Sequence, residues 1–371
     1  MNRSNQANPL INECPHPTGS AAYRASQVDA MAEDLKQNLY GNTHSENPSS
    51  VLTERRVEEV RAHVVRFFNT TLSEYSVVFT SGATAALHLL SETFPWGNAS
   101  RFAYLEQSHN SVLGIREFCL QKGGEFCALA ERDVEEGRCA ACARKTAAEG
   151  AITPLQQHQQ QDQHEGSGGG SRPYNLFAFP AEDNFSGVKY PLPWIERIQR
   201  SGGLCGKKGD WRVLLDAAAF VPTNPLDLGS FKPDFVAVSF YKVFGVPTGL
   251  GCLLVHKRSV DLLKKTYFGG GSVVVASPTK PITVYKMNPC ERLEDGTLNF
   301  LSISALLPGF RSMAELRMDR IQRHVWSLTR WAYEQLSGLR HSNGAPVVRV
   351  YGKHDKGDKA VQGAWVAIDV S

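Results

Sequence analysis

The chain has 371 residues, of which 42% are hydrophobic and 21% charged, with a formal net charge of +3. This is the composition of a globular enzyme large enough for one major and one minor domain. The small net charge gives no electrostatic reason to invoke nucleic acid or an anionic membrane surface, and no apolar run approaches the roughly 20 residues of a membrane helix.

The first 20 residues are polar and without a clear period. They read as an extended or disordered arm with no secretory signal, so the expected compartment is the cytoplasm, where cysteines stay reduced. A helix is expected over 26–40, with Val28, Met31, Leu35 and Leu39 at helical spacing and Ser26 with Asp29 as a capping box. A second is expected over 53–68, with Val57, Val60, Val64 and Phe67 on one face. Beyond Phe68 short apolar runs alternate with helical stretches. Strands are expected at 76–80, 102–105, 126–129, 175–179, 213–215, 235–238 and 252–255, and helices at 83–94, 111–121 and 193–200. Runs apolar on both faces and separated by helices indicate an α/β fold around a buried, mainly parallel sheet.

The pattern breaks between about 131 and 172, where the chain turns Ala-, Gln- and Gly-rich. Such composition cannot bury a core and reads as a flexible surface insertion. It contains Cys139 and Cys142 at C-x-x-C spacing, together with His158 and His164. No second cysteine pair follows at ligand spacing, so no metal site is expected there. Helical periodicity returns from 313 to 339, and the chain ends just after the apolar run 364–370. The organisation expected is an arm and first helix (1–40), a large domain (41–310) and the start of a small, incomplete subdomain (311–371), the ending itself reading as a truncation.

Three places could carry chemistry. Thr80-Ser81-Gly82-Ala83-Thr84 joins a strand to a helix. Small residues there let backbone amides at the helix start meet a phosphate, although a plain turn has the same composition. Asp216 ends the run Leu214-Leu215, where open α/β sheets bind ligands; a cap or an ion pair is the competing reading. Lys242 follows the 235–238 strand within Ser239-Phe240-Tyr241-Lys242, and a partly desolvated lysine there could bond a carbonyl covalently. A surface lysine is the alternative. A phosphate cradle, a carboxylate and a lysine, each at a strand's carboxyl end, together match the needs of pyridoxal 5′-phosphate (PLP): an anchor, a partner for the ring nitrogen and a holder for the aldehyde.

Longer strings carry a resemblance. They are Tyr40 to Ser45, Phe79 to Leu87, Phe94-Pro95-Trp96, Ser108 to Gly114, Asn184 to Leu192, Ser239 to Gly251, Lys265 to Gly271 and Glu294 to Thr297. In these the chain resembles the N-terminal, cysteine-desulfurase-like part of the molybdenum cofactor sulfurase family, within the class V aminotransferases. The resemblance implies a PLP-dependent fold-type I transferase that takes sulfur from L-cysteine, leaving alanine, for the molybdenum cofactor. It implies Lys242 as the cofactor lysine, Asp216 as ring-nitrogen partner, His109 stacked on the ring and Asn184 near the ring hydroxyl. Ala83, Thr84, Ser239 and Tyr241 would contact the phosphate, and Thr297 would do so from the partner subunit of a homodimer. Cys14-Pro15-His16-Pro17-Thr18-Gly19 departs from the family's pattern before its first helix. The persulfide-forming cysteine, the arginine for the substrate carboxylate and the molybdenum-cofactor domain of the family would all lie beyond Ser371. The chain alone is therefore expected to bind PLP without delivering sulfur. The rival expectations are another class V enzyme (a cysteine or selenocysteine lyase, or an aminotransferase) and a non-catalytic PLP-binding chain.

Overall fold

The computed structural model describes residues 23–137, 173–204 and 206–370. Two helices, α1 (Ala25–Gln37) and α2 (Pro48–Phe67), precede the sheet. Then come β1 (Tyr75–Thr80), α3 (Ala83–Thr93), β2 (Arg101–Leu105), α4 (Asn110–Leu113), α5 (Ile115–Gln121), β3 (Glu125–Leu129), α6 (Glu131–Glu136) and β4 (Tyr174–Pro180). They are followed by α7 (Trp194–Ser201), the short pair β5 (Gly203–Leu204) and β6 (Lys207–Lys208), β7 (Asp210–Asp216), β8 (Phe235–Ser239), α8 (Phe240–Phe244) and β9 (Gly251–His256).

Seven strands form one sheet in the order β1-β9-β8-β7-β4-β2-β3. Every neighbouring pair is parallel except those of β9, which runs antiparallel to both β1 and β8. The carboxyl ends of β1, β8, β7, β4 and β2 therefore emerge on one edge. The apolar runs are unbroken because both faces are covered. Along β8, Val236 and Val238 enter the core on one side while Phe235 and Ala237 enter the other. Each fully buried Val or Phe among them contributes about 1.5–3 kcal/mol.

The C-terminal part holds two long helices, Leu306–Leu316 and Met318–Ser337, and a small two-stranded sheet, Val348–Val350 with Ile368–Val370. Among the described residues no helix is long and apolar enough to cross a membrane.

Several sequence expectations need correction. The Ser26–Asp29 capping box does not form: α1 starts at Ala25, its N-cap is Arg24, and no side chain caps it. Val28, Leu35 and Leu39 are exposed, and Gln27 is the buried residue of that helix. The 111–121 helix is two helices divided at Gly114. The 313–339 helix is likewise two, divided at Arg317, which takes a left-handed φ of 64°. The composition break does not begin as loop: α6 occupies its first residues and buries Val134. Cys139, Cys142, His158, His164 and the first 20 residues lie outside the described residues.

Candidate functional site

At the carboxyl edge of the sheet lies a cavity of about 240 Å³. Its walls include Ala83, Thr84, His109, Asn184, Asp216, Ser239, Tyr241 and Lys242. These are eight of the nine positions expected from sequence, contributed by five separate chain segments. Thr297 is the exception. It is exposed in the loop between the helices Pro289–Leu293 and Phe300–Ser304, outside this cavity.

The cradle is built by β1 running into α3. Gly82 caps the helix with φ 141°, a conformation that L side chains rarely adopt. Thr80 Oγ1 donates to Gly82 O at 2.9 Å and fixes the turn. The first amides of α3 have no partner within the helix, and Ser81, Gly82, Ala83 and Thr84 line the cavity. Thr84 Oγ1 lies 2.9 Å from Ser111 Oγ, which ties the cradle to the α4 turn. Gly251, at the start of β9, passes directly beneath: a Cβ there would stand 2.7 Å from Gly82 Cα.

Asp216 is buried at the end of β7, and its Oδ1 accepts from Ala218 N at 3.1 Å. Among the described residues no ion pair satisfies it, which excludes the paired-carboxylate reading. Burial pushes its pKa up, while the Ala218 amide and the charges of Lys242 and His109 pull it back. Such a carboxylate suits a ligand that brings a cationic N–H donor. Lys242 is half-buried in α8, the single turn that follows β8. Two other lysines are committed elsewhere: Lys189 Nζ donates to Asn224 Oδ1 at 2.6 Å, and Lys265, its side chain buried, pairs with Asp295.

His109 is exposed and caps α4, its Nδ1 accepting from Ser111 N at 3.1 Å. Asn184 stands on a tight turn after β4. Asp183 organises that turn by accepting from Phe185 N and Ser186 N, each at 3.0 Å.

The sequence reading missed Glu182, which lines the same cavity and is only 1% exposed. Its Oε2 accepts from Asn224 Nδ2 at 2.9 Å and its Oε1 from Ala364 N at 3.3 Å. Burial pushes its pKa up to about 8, against the opposing pull of Lys189. The available signal was an acidic residue two places before Asn184, directly after the apolar run of β4. Four cysteines are described: Cys119, Cys127 and Cys252 are buried and Cys290 half-buried. Cys290 sits on the helix Pro289–Leu293 rather than in the loop expected. Burial pushes Cys119 and Cys290 up to about 11 and Cys252 higher still, so none of the three is a ready thiolate.

The aminotransferase class-V family model matches residues 18–133 and 137–359. The chain belongs to the class V aminotransferases. Within that family it is 40% identical over 366 residues to molybdenum cofactor sulfurase of Homo sapiens, and 43% over 345 residues to that of Solanum lycopersicum. These alignments take in 95% and 90% of this chain but only 38% and 41% of the relatives, so it spans about two fifths of their length. Among solved structures, the cysteine desulfurase of Thermococcus onnurineus NA1 superposes with a TM-score of 0.70 at 20% identity, covering 96% of this chain and 78% of that one. The cystine C-S lyase C-DES, solved with its product cysteine persulfide, gives 0.66 at 16% identity, covering 93% and 80%. A variant of that lyase, with glycine covalently linked to the PLP cofactor, gives 0.65, also at 16% identity and covering 93% and 79%. The expected α/β architecture, a mostly parallel sheet with flanking helices, is the one this family adopts.

Proposed function

We propose that this chain is a PLP-dependent desulfurase of the molybdenum cofactor sulfurase type, taking sulfur from L-cysteine and leaving alanine. The observation that carries this reading is the convergence of Asp216, Lys242 and the Gly82–Thr84 cradle on one cavity at the sheet edge. The residues fit the cofactor. Asp216 is a buried carboxylate that accepts one hydrogen bond from Ala218 and has no cation paired to it among the described residues, which matches a protonated ring nitrogen. Gly251 backs the cradle so closely that a Cβ there would stand 2.7 Å from Gly82 Cα.

Bound PLP supplies an electron sink for charge developing at the α-carbon of an amino acid. The chain's residues do the rest. Ala83, Thr84, Ser239 and Tyr241 would anchor the phosphate, and His109 would lie against the ring. Asn184 would donate toward the ring hydroxyl, and Asp216 would hold the ring-nitrogen proton. Lys242 Nζ would hold the aldehyde and would be the base for the α-carbon proton. Thr297, exposed away from its own cavity, would reach the phosphate site of a second copy in a homodimer. The sulfur would pass to an attacking thiolate as the S–Cβ bond of cysteine breaks, and from there to the molybdenum cofactor; Cys119, Cys252 and Cys290, whose protons burial holds on, do not suit that role.

The test is borohydride reduction of the PLP-loaded chain followed by peptide mapping. The pyridoxyl group is expected on Lys242; labelling of Lys189 or Lys265 instead would sink the assignment.

A further inference from the structure

Residues 359–364 close over the turn that carries Asn184 through a dense set of hydrogen bonds. Gly363 N donates to Gly187 O at 2.7 Å, and Lys189 N to Val361 O at 3.0 Å. Gln362 Nε2 donates to Ser186 O at 2.7 Å, and its Oε1 accepts from Lys353 N at 2.7 Å. Lys189 Nζ donates to Lys359 O at 2.7 Å, and Ala364 N reaches Glu182 Oε1. Gln362 is fully buried.

Two glycines make the approach possible. Gly187 has φ 71°, and a Cβ there would stand 2.8 Å from Gln362 Nε2. A Cβ on Gly363 would collide with the Glu182 carboxylate. Beneath the turn, Asn224 joins Lys189 to Glu182, accepting from the lysine and donating to the carboxylate. Gln322, from the helix Met318–Ser337, donates to the same Asn224 Oδ1 at 3.0 Å.

Glu182 is therefore shared. One side of it lines the cavity and the other is gripped by residues 359–364. A segment about 180 residues away in sequence thus reaches the cavity wall through a single side chain. Burying a lysine and a carboxylate costs free energy that a plain apolar contact would not, and the arrangement is satisfied only when the C-terminal segment is in place.

We propose that residues 359–364 are a clamp that sets the position of the Asn184 turn, with Gln362 and Glu182 as positioning residues for the cofactor pocket. This rests on the PLP reading above. It goes beyond it by making affinity on the Asn184 side of the pocket depend on the C-terminal part of the chain.

A double-mutant cycle on the 371-residue chain tests it, with PLP affinity measured by absorbance titration and thermal melting recorded in parallel. Gln362→Ala is expected to weaken PLP binding about tenfold when Asn184 is present, and by no more than about twofold when it is combined with Asn184→Ala. Should Gln362→Ala fail to fold, Glu182→Gln, which keeps side-chain size, enters the same cycle with the same non-additivity expected. An equal loss in both backgrounds, or a lowered melting temperature with unchanged PLP affinity, would show a merely structural role and overturn the clamp. Failure of the parent chain to bind PLP would overturn the clamp and the cofactor reading together, whereas additive behaviour in a PLP-binding chain overturns the clamp alone.

Discussion

Asp216 and Lys242 leave the ends of β7 and β8, strands packed on both faces, whereas Asn184 stands on a turn held by Asp183, Glu182 and residues 359–364. The first wall of the cavity is placed by backbone register and hydrophobic burial. The second is placed by hydrogen bonds between segments distant in the chain. Damage to the first should abolish chemistry outright, because on the proposed reading the reacting groups sit on it. Damage to the second should be graded, and sensitive to charge.

The sharpest break of that comparison is Lys242→Ala. It should remove the borohydride-trappable pyridoxyl group entirely while the melting temperature of the unliganded chain stays near that of the parent. Trapping that persists, measured by peptide mass, would mean that another lysine does the work.

Next is a buried ion pair against β1, the strand that leads into the cradle. Arg61 binds Glu294 through both guanidinium ends, at 2.8 and 2.7 Å, and Glu294 also accepts from Phe79 N at 2.6 Å on β1. Arg61→Met leaves that carboxylate buried and unpaired, which should cost about 3–5 kcal/mol. Urea denaturation measures it, and a loss below about 1 kcal/mol, the worth of an exposed pair, would show that the edge of the sheet does not depend on the pair.

Asp216→Asn should lower cysteine turnover by on the order of a hundredfold while PLP stays bound, since a neutral amide cannot hold the ring-nitrogen proton and the phosphate contacts persist. Turnover equal to the parent's, by alanine release in a chain competent for it, would remove Asp216 from that role.

The smallest effect expected is on the second wall. The pKa of Glu182 rises from its ordinary 4.5 to about 8 in the fold, so the folded chain holds this proton more tightly than the unfolded chain. The stabilisation is complete below 4.5 and is lost as pH rises through about 8. Lys189, pushed down by burial, acts in the opposite direction, and Asp183, Asp358 and Lys359 contribute charge around the pair. Glu182→Gln should flatten the decline in stability between about pH 5 and about pH 8. An unchanged profile from denaturation at several pH values would place the titration elsewhere.

The same contrast explains what was legible in the sequence. The first wall writes itself into local pattern: Val213-Leu214-Leu215 before Asp216, and Phe235 to Val238 before Lys242, are short apolar runs ending in a polar residue. Longer specific strings supplied His109 and Asn184. The local signal at Glu182, an acidic residue after the apolar run of β4, did not reveal its role, because its partners Asn224 and Ala364 lie 42 and 182 positions away and no periodicity connects them. The Ser26–Asp29 spacing misled for a related reason. Composition permits a capping box, but the helix begins one residue earlier, at Ala25.

Gly251 pairs with Thr80 on one side and Ser239 on the other. With strands about 4.8 Å apart, it holds the ends of β1 and β8 at roughly twice that spacing. The phosphate cradle opens from one of those ends and the lysine turn from the other. The pair acts as a caliper whose jaws are set by a single interposed strand. On the proposed reading, a ligand that reaches both ends must span that fixed gauge.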